Sequence, residues 1–335
     1  MSIGFISNRI PNNNDYTNKN FDISGLNSGN IVFINAIKNL FKCDYVDYSD
    51  IGNTNYDSYI TVYFAWIRQN EDKGEFKNYL QKVKDKKVLP LSVGLQCRDY
   101  FPEFKIHKNT VDVLMELSER CTLGVRGEYT ASILAKNGIK NIQIVGCPSL
   151  YYTDNPFFSI NKPKTLDKES IICNYKTLLD GIDKQDIDIL TYFSRISDLF
   201  IDQTKIMISD EKYMSLPDDV RNLLNNNRKV YFTIDSWNEC IRKYKFSIGA
   251  RFHGNVVAIL NGIPSLILYC DSRTKELSDF FWIPNIGISD FDIHKPIEYY
   301  YEKADYSLFN SRYPILYKDF CSFAKKNGLE LNINI

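Results

Sequence analysis

Arg251-Phe252-His253-Gly254 is the stretch of the chain richest in chemistry. It stands where an apolar run, Phe246 to Ala250, gives way to a helix-like segment ending at Asn261. That places it in the turn at the carboxyl end of a strand, the edge at which open α/β sheets bind ligands. Arg251 presents a fixed fork of donors suited to a carboxylate or a phosphate. His253, one of three histidines, titrates near neutral pH when unperturbed and can give or take a proton. The backbone N–H groups of Gly254, Asn255 and Val256 are expected to lie unpaired at the helix start, where the helix dipole adds positive potential. The turn is therefore expected to bind an anion and move a proton. The alternative is a buried histidine satisfied by a neighbour, with Arg251 in a surface ion pair. Gly249 to Gly254 spans a Gly-x4-Gly, but Asn255-Val256 follows where a P-loop requires Lys-Ser/Thr, which excludes that motif.

Other candidates stand at comparable places. Arg126 ends an apolar run, Thr122 to Val125, ahead of a helix opening at Glu128, and so mirrors Arg251; its alternative is an ion pair with Glu128 or another surface acid. Gly94, followed by Leu95 and Gln96, ends another strand and would let a ligand approach the backbone. Gly29 and Asn30 do the same before the first long helix, and Asn30, which cannot act as a base, is expected to bind. Asp271, Ser272 and Arg273 follow the apolar run Ser265 to Cys270. Asp271 could orient His253 or accept a proton from a sugar hydroxyl, or it could cap a helix. Two Asp-x-Asp pairs, at Asp186/Asp188 and Asp290/Asp292, lack supporting histidines or strand context, so no metal site is expected.

The elements that position these residues alternate. Strand-like runs at Ile3–Ile6, Tyr59–Ala65, Val88–Val93, Thr122–Val125 and Asn141–Val145 are spaced by helical patterns at Ile31–Phe41, Gly74–Lys84, Asn109–Glu119 and Glu128–Asn137. A turn-rich linker, Tyr151 to Lys168, precedes a second series: strand Ser170–Asn174, helix Asp186–Phe200, strand Lys205–Ser209, helix Pro217–Asn225, strand Lys229–Ile234 and helix Ser236–Tyr244. Such alternation predicts α/β architecture: two doubly wound, Rossmann-like domains, 1–152 and 153–310, facing a cleft, with 311–335 as a helix returning to the first domain. Arg126 and Arg251 are expected to face that cleft together.

Composition bounds the function. With 335 residues, two domains suit the chain better than one core. Lys plus Arg equals Asp plus Glu at 41 each, so the basic surplus expected of a nucleic-acid binder is missing. The eight cysteines are scattered without Cys-x-x-Cys pairs, which reads as buried thiols in a reducing compartment. The first residues have no signal-peptide pattern and no apolar run reaches membrane-spanning length, so a cytoplasmic protein is expected, with any membrane association peripheral.

Four blocks carry a resemblance. Ser92-Val93-Gly94-Leu95-Gln96, Gly124-Val125-Arg126-Gly127-Glu128-Tyr129-Thr130, Gly146-Cys147-Pro148-Ser149-Leu150, and the region from Arg251 through Asn261-Gly262-Ile263-Pro264 to Asp271-Ser272-Arg273-Thr274-Lys275-Glu276 resemble, in order, the polysaccharide pyruvyltransferase family. The resemblance implies a fold similar to the two-domain GT-B glycosyltransferases, and transfer of pyruvate from phosphoenolpyruvate to two hydroxyls of a sugar, giving a cyclic ketal on a cell-surface polysaccharide or its lipid-linked precursor. In that reading His253 and Arg251 are catalytic, with His253 the general acid. Arg126, Gly254, Asn255, Asn30, Gly94, Gln96, Asp271, Ser272 and Arg273 bind substrate, the donor lies on the second domain and the acceptor on the first, and no cofactor or metal is needed. The place of work is the cytoplasm, at the inner face of the membrane. A GT-B-type glycosyltransferase using a nucleotide sugar is the alternative enzyme, and a binding protein that kept the fold without activity is the non-catalytic one.

Overall fold

A computed structural model of the chain describes residues 2–83, 85–98, 100, 102–153, 155–167, 169–176 and 181–332. The expected ends at Lys84 and Lys168 lie outside the described residues. Fourteen short strands are described: β1 Ile3–Ile6, β2 Asp44–Val46, β3 Ser58–Thr61, β4 Ile67–Arg68, β5 Lys87–Pro90, β6 Leu95–Gln96, β7 Leu123–Val125, β8 Ile142–Ile144, β9 Ile171–Asn174, β10 Leu199–Ile201, β11 Arg228–Lys229, β12 Phe246–Gly249, β13 Ser265–Tyr269 and β14 Asn285–Gly287. Among the described residues every pairing between them is parallel. The α/β class with parallel sheets is thus as expected.

One sheet runs β2-β1-β3-β5, and a bridge from Val93 to Val125 links its far side to the β7-β8 pair. The largest sheet runs β11-β10-β9-β12-β13-β14, and β4 pairs with β6 by itself. In the largest sheet the chain builds outward from β9 through β10 to β11, then returns beside β9 at β12 and builds the opposite way. The reversal puts a crevice at the carboxyl ends of β9 and β12, the place where doubly wound sheets take ligands. β1, β3, β9 and β12 are buried along their whole length, as strands covered on both faces must be.

Six helices matter for the site: α1 Asn30–Phe41, α2 Glu128–Lys136, α3 Lys184–Ile196, α4 Phe252–Leu260, α5 Ser272–Phe281 and α6 Ser307–Lys326. α4 is apolar nearly all round and is the most enclosed of them, with eight of its nine residues buried. α6 lies against the first half of the chain. Tyr313 donates to the Leu150 carbonyl (2.7 Å), Phe320 stacks on Tyr151 at 4.2 Å between centroids, and Lys87 donates to the Asn327 carbonyl just beyond the helix.

Three expectations fail locally. The helix expected over Asp186–Phe200 is α3, started early by a capping box between Asp183 and Asp186 and ended at Ser197, so that Leu199-Phe200-Ile201 forms strand β10. Lys205–Ser209 is then no strand, and Met207 is exposed. The strand expected at Lys229–Ile234 shrinks to Arg228–Lys229, because the helix behind it already opens at Ile234.

Candidate active site

The crevice is built by asparagines. Asn174, the last residue of β9, accepts from the Arg251 backbone N–H at 2.8 Å and donates to Asn255 at 3.1 Å. Asn255 donates to the Gly249 and Arg251 carbonyls at 2.9 and 3.1 Å and accepts from Ser247 at 2.9 Å. Gly249 has φ 153°, and a Cβ there would sit 1.7 Å from the Asn174 carbonyl oxygen, so only glycine lets the two strand ends close. Asn255, expected to bind substrate, is instead consumed in holding β9 to β12.

α4 starts at Phe252, with Arg251 still extended as its N-cap. The Asn255 N–H already bonds the Arg251 carbonyl. The helix-start donors without a partner among the described residues are therefore those of Phe252, His253 and Gly254, two residues earlier than expected. Arg251 itself is a correction. Its Nε donates to the Tyr175 carbonyl (2.6 Å), its Nη2 to Thr204 (2.8 Å), and it pairs with Asp202 at 3.6 Å. Asp202 also holds Arg228 at 2.8 Å. The fork expected to clamp a ligand is engaged by the protein.

The cation that keeps company with Arg126 is Arg273. Arg126 is 2% exposed; its Nε donates to Ser92 (3.1 Å), while its Nη1 has no partner among the described residues. Its guanidinium lies 5.4 Å from the centre of the Trp66 ring, and that of Arg273 lies 5.8 Å from the same ring. Arg273 pairs loosely with Asp271, 3.9 Å, and its Nε makes no hydrogen bond among the described residues. Gly94 makes room for this packing: a Cβ there would fall 2.5 Å from Cδ of Arg126. Burial and the neighbouring Arg273 pull the pKa of Arg126 down to about 10, which still leaves it charged at neutral pH.

His253 completes the cluster. Its ring centre lies 5.5 Å from that of Phe33, which in turn lies 5.7 Å from Trp66, and its Nε2 is 3.6 Å from the Cys147 sulfur. Burial first, then Arg273 and Arg126, hold its pKa well below the ordinary histidine value. The histidine expected near its unperturbed pKa is thus shifted, and its ring is neutral at neutral pH.

Asp271, Ser272 and Gln96 form a seam instead of touching His253. Asp271 caps α5 through the Thr274 N–H (2.7 Å) and accepts from Gln96 at 3.1 Å. Burial pushes its pKa up, but Arg273 and the bonds from Thr274 and Gln96 outweigh that and leave it low. Ser272 donates to the Leu95 carbonyl and accepts from the Cys97 N–H, while its own N–H bonds the Cys97 carbonyl. One turn on, Glu276 accepts from both the N–H and the hydroxyl of Thr130, at 2.7 and 2.9 Å, at the start of α2.

Beside the start of α4 lie neutral groups. Gln203 follows β10 and its carbonyl accepts from the Ser28 N–H at 2.7 Å. Its amide lies between Gly29 at the start of α1 and Gly254 at the start of α4. Gln203 Nε2, Ser28 Oγ and Asn30 Oδ1 are buried without partners among the described residues, while the Asn30 amide nitrogen donates to the Ser24 carbonyl. Trp66, Ser92, Cys147, Asp202 and Gln203 carry no motif that sequence reasoning could have weighted, beyond the family block that contains Ser92 and the one that contains Cys147. The arrangement can hold an anion between Arg126, Arg273 and the start of α4, beside a histidine and a neutral hydroxyl-binding wall. No group of three His, Cys, Asp or Glu among the described residues could hold a metal, and no described helix is long and apolar enough to cross a membrane.

A search of curated protein sequences returns no match. Among solved structures, the chain is similar to the UDP complex of MnaA from S. aureus (TM-score 0.48, 10% identity, all of both chains covered). It is also similar to a putative UDP-N-acetylglucosamine 2-epimerase from Listeria monocytogenes (TM-score 0.47, 11% identity, 100% of this chain and 99% of that one). UDP-GlcNAc 2-epimerase from Neisseria meningitidis bound to UDP-GlcNAc follows (TM-score 0.42, 12% identity, 88% and 80%). The model of the polysaccharide pyruvyl transferase family matches residues 27–272, a span that contains all four motif blocks nearly to their end and every cation of the cluster except Arg273, and the chain belongs to that family.

Proposed function

We propose that the protein transfers the pyruvyl group of phosphoenolpyruvate onto two hydroxyls of a saccharide, free or lipid-linked, as a cyclic ketal. The observation that supports this best is the buried, unpartnered Nη1 of Arg126 beside Arg273 and His253. Arg126 and Arg273 share the Trp66 ring, with His253 one aromatic ring further on at Phe33, and an anion of high charge would satisfy all three. Phosphoenolpyruvate brings both a carboxylate and a phosphate. Arg126 and Arg273 take that charge, and the N–H groups at the start of α4 receive phosphate oxygens.

The donor's charge reverses the field on His253. Its proton affinity rises as the anion binds, so the ring is protonated when needed rather than at rest. The imidazolium then gives its proton to the methylene carbon, forming the methyl group. One sugar hydroxyl attacks the oxocarbenium-like carbon, the bond from that carbon to the phosphate oxygen breaks, and the second hydroxyl closes the ring. Of the two hydroxyl protons released, one replaces the proton spent and the other leaves with phosphate. Ser28, Asn30 and Gln203 offer neutral donors and acceptors suited to hydroxyls. The test is phosphate release from phosphoenolpyruvate: it should require a saccharide acceptor and fall in Arg126→Ala at subsaturating phosphoenolpyruvate. Turnover of a nucleotide sugar in place of phosphoenolpyruvate would contradict the proposal.

A further inference from the structure

His253 has two ring nitrogens, and the structure gives them unlike surroundings. Nε2 faces the sulfur of Cys147 at 3.6 Å. Nδ1 has no protein partner among the described residues. Cys147 and Ser149 are buried at the end of the first half of the chain, more than a hundred positions from the histidine, so the fold alone brings them together.

The sulfur's other contact bears on the direction of that bond. The Ser149 hydroxyl donates to it at 3.1 Å. A thiol is a weak acceptor, and with one lone pair already engaged its proton is the group left to be given. The acceptor in reach is Nε2. Around the ring stand Arg126 and Arg273 as the charged groups, Phe33 and Phe252 as aromatic neighbours, and no carboxylate in hydrogen-bond contact that could impose the opposite polarity.

We propose that Cys147 is a positioning residue for His253: its thiol holds Nε2, sets the neutral ring as the Nδ1–H tautomer, and leaves Nδ1 as the nitrogen that meets the substrate. The thiol and the Ser149 hydroxyl are both rotors. When the ring takes a second proton, the S–H turns away and the sulfur accepts from Nε2–H instead. A carboxylate at this position would lock the ring in the protonated form, whereas a thiol serves both states without adding charge.

Nitrogen-15 NMR of the full-length protein, labelled in its histidines, reads the tautomer directly, and the three histidines of the chain keep the spectrum simple. At pH 8 His253 should show a protonated Nδ1 and a bare Nε2. Cys147→Ser, whose hydroxyl can still donate, should keep that pattern, and Cys147→Ala should shift it towards Nε2–H or a mixture. This arm stands whatever the reaction is. A kinetic arm rests on the pyruvyl-transfer reading: Cys147→Ala should lower kcat about 10-fold with KM for phosphoenolpyruvate changed less than about twofold, and Cys147→Ser should recover most of it. A wild-type spectrum showing Nε2–H overturns the proposal even if no variant folds. So does a folded Cys147→Ala protein with the wild-type tautomer.

Discussion

At the scale of single residues, the account separates three side chains that share a charge or a turn. His253→Asn should stay folded, keep most donor affinity and lose on the order of 100-fold to 10,000-fold in turnover, as removal of a general acid does. Near-normal turnover would leave His253 structural. Arg126→Ala should weaken donor binding about 10-fold to 100-fold, the worth of roughly 1.5–3 kcal/mol for a hydrogen bond to a charged group; titration of Trp66 fluorescence with phosphoenolpyruvate measures it. Arg251→Lys should act on the fold, because the guanidinium is held by Asp202, Thr204 and the Tyr175 carbonyl. A lower melting temperature is expected before any change in donor affinity, since an ammonium cannot repeat that fork. The depressed pKa of His253 also has a sign for stability. A ring kept neutral when folded binds fewer protons than the unfolded chain below about pH 6.5, so its contribution is full above that pH and is lost as the pH falls through it. Urea unfolding of His253→Asn between pH 5 and pH 7 should show a weaker loss than the wild type.

Elements explain what the sequence could and could not disclose. The strand-turn-helix around Arg251 was legible because apolar periodicity, Gly249 and the Arg-x-His-Gly turn agree. How each arginine is held was not, because the Asp202 that engages Arg251 directly follows β10, a strand that periodicity hid within a longer helical pattern, whereas Arg273 meets Asp271 at 3.9 Å. Gln203 and Trp66 were invisible for a similar reason: their role comes from the meeting of two sheets, not from neighbours in sequence. The α5 seam shows the same limit, since Asp271 and Ser272 read equally well as a cap or a catalyst and the fold chose the cap. Glu276 in that seam carries a prediction. Burial, opposed by the bonds from Thr130 and by Arg126, lifts its pKa to about 7. The folded state therefore binds more protons than the unfolded chain between about pH 4.5 and pH 7, and this contribution to stability is lost as pH rises through that window, opposite in sign to His253. Glu276→Gln should flatten that loss in urea unfolding compared at pH 5 and pH 8; an unchanged slope would mean that the carboxylate is already ionised throughout.

For the whole molecule, the fold brings Arg126 and Arg273 to one ring, Trp66, and in the proposed reaction those guanidinium groups and a helix start meet the charge of phosphoenolpyruvate. Activity should accordingly persist in excess EDTA, and loss reversed by magnesium or manganese would favour a nucleotide-sugar transferase. The most direct test of the central claim is proton NMR of the saccharide product after incubation with phosphoenolpyruvate and a panel of saccharide acceptors, with phosphate measured in the same tubes. The account predicts one new methyl singlet of a pyruvate ketal for each phosphate released, reduced with Arg126→Ala at subsaturating phosphoenolpyruvate and strongly reduced with His253→Asn at any donor concentration. Phosphate released without a ketal methyl, or a glycosidic product formed from a nucleotide sugar, would contradict it.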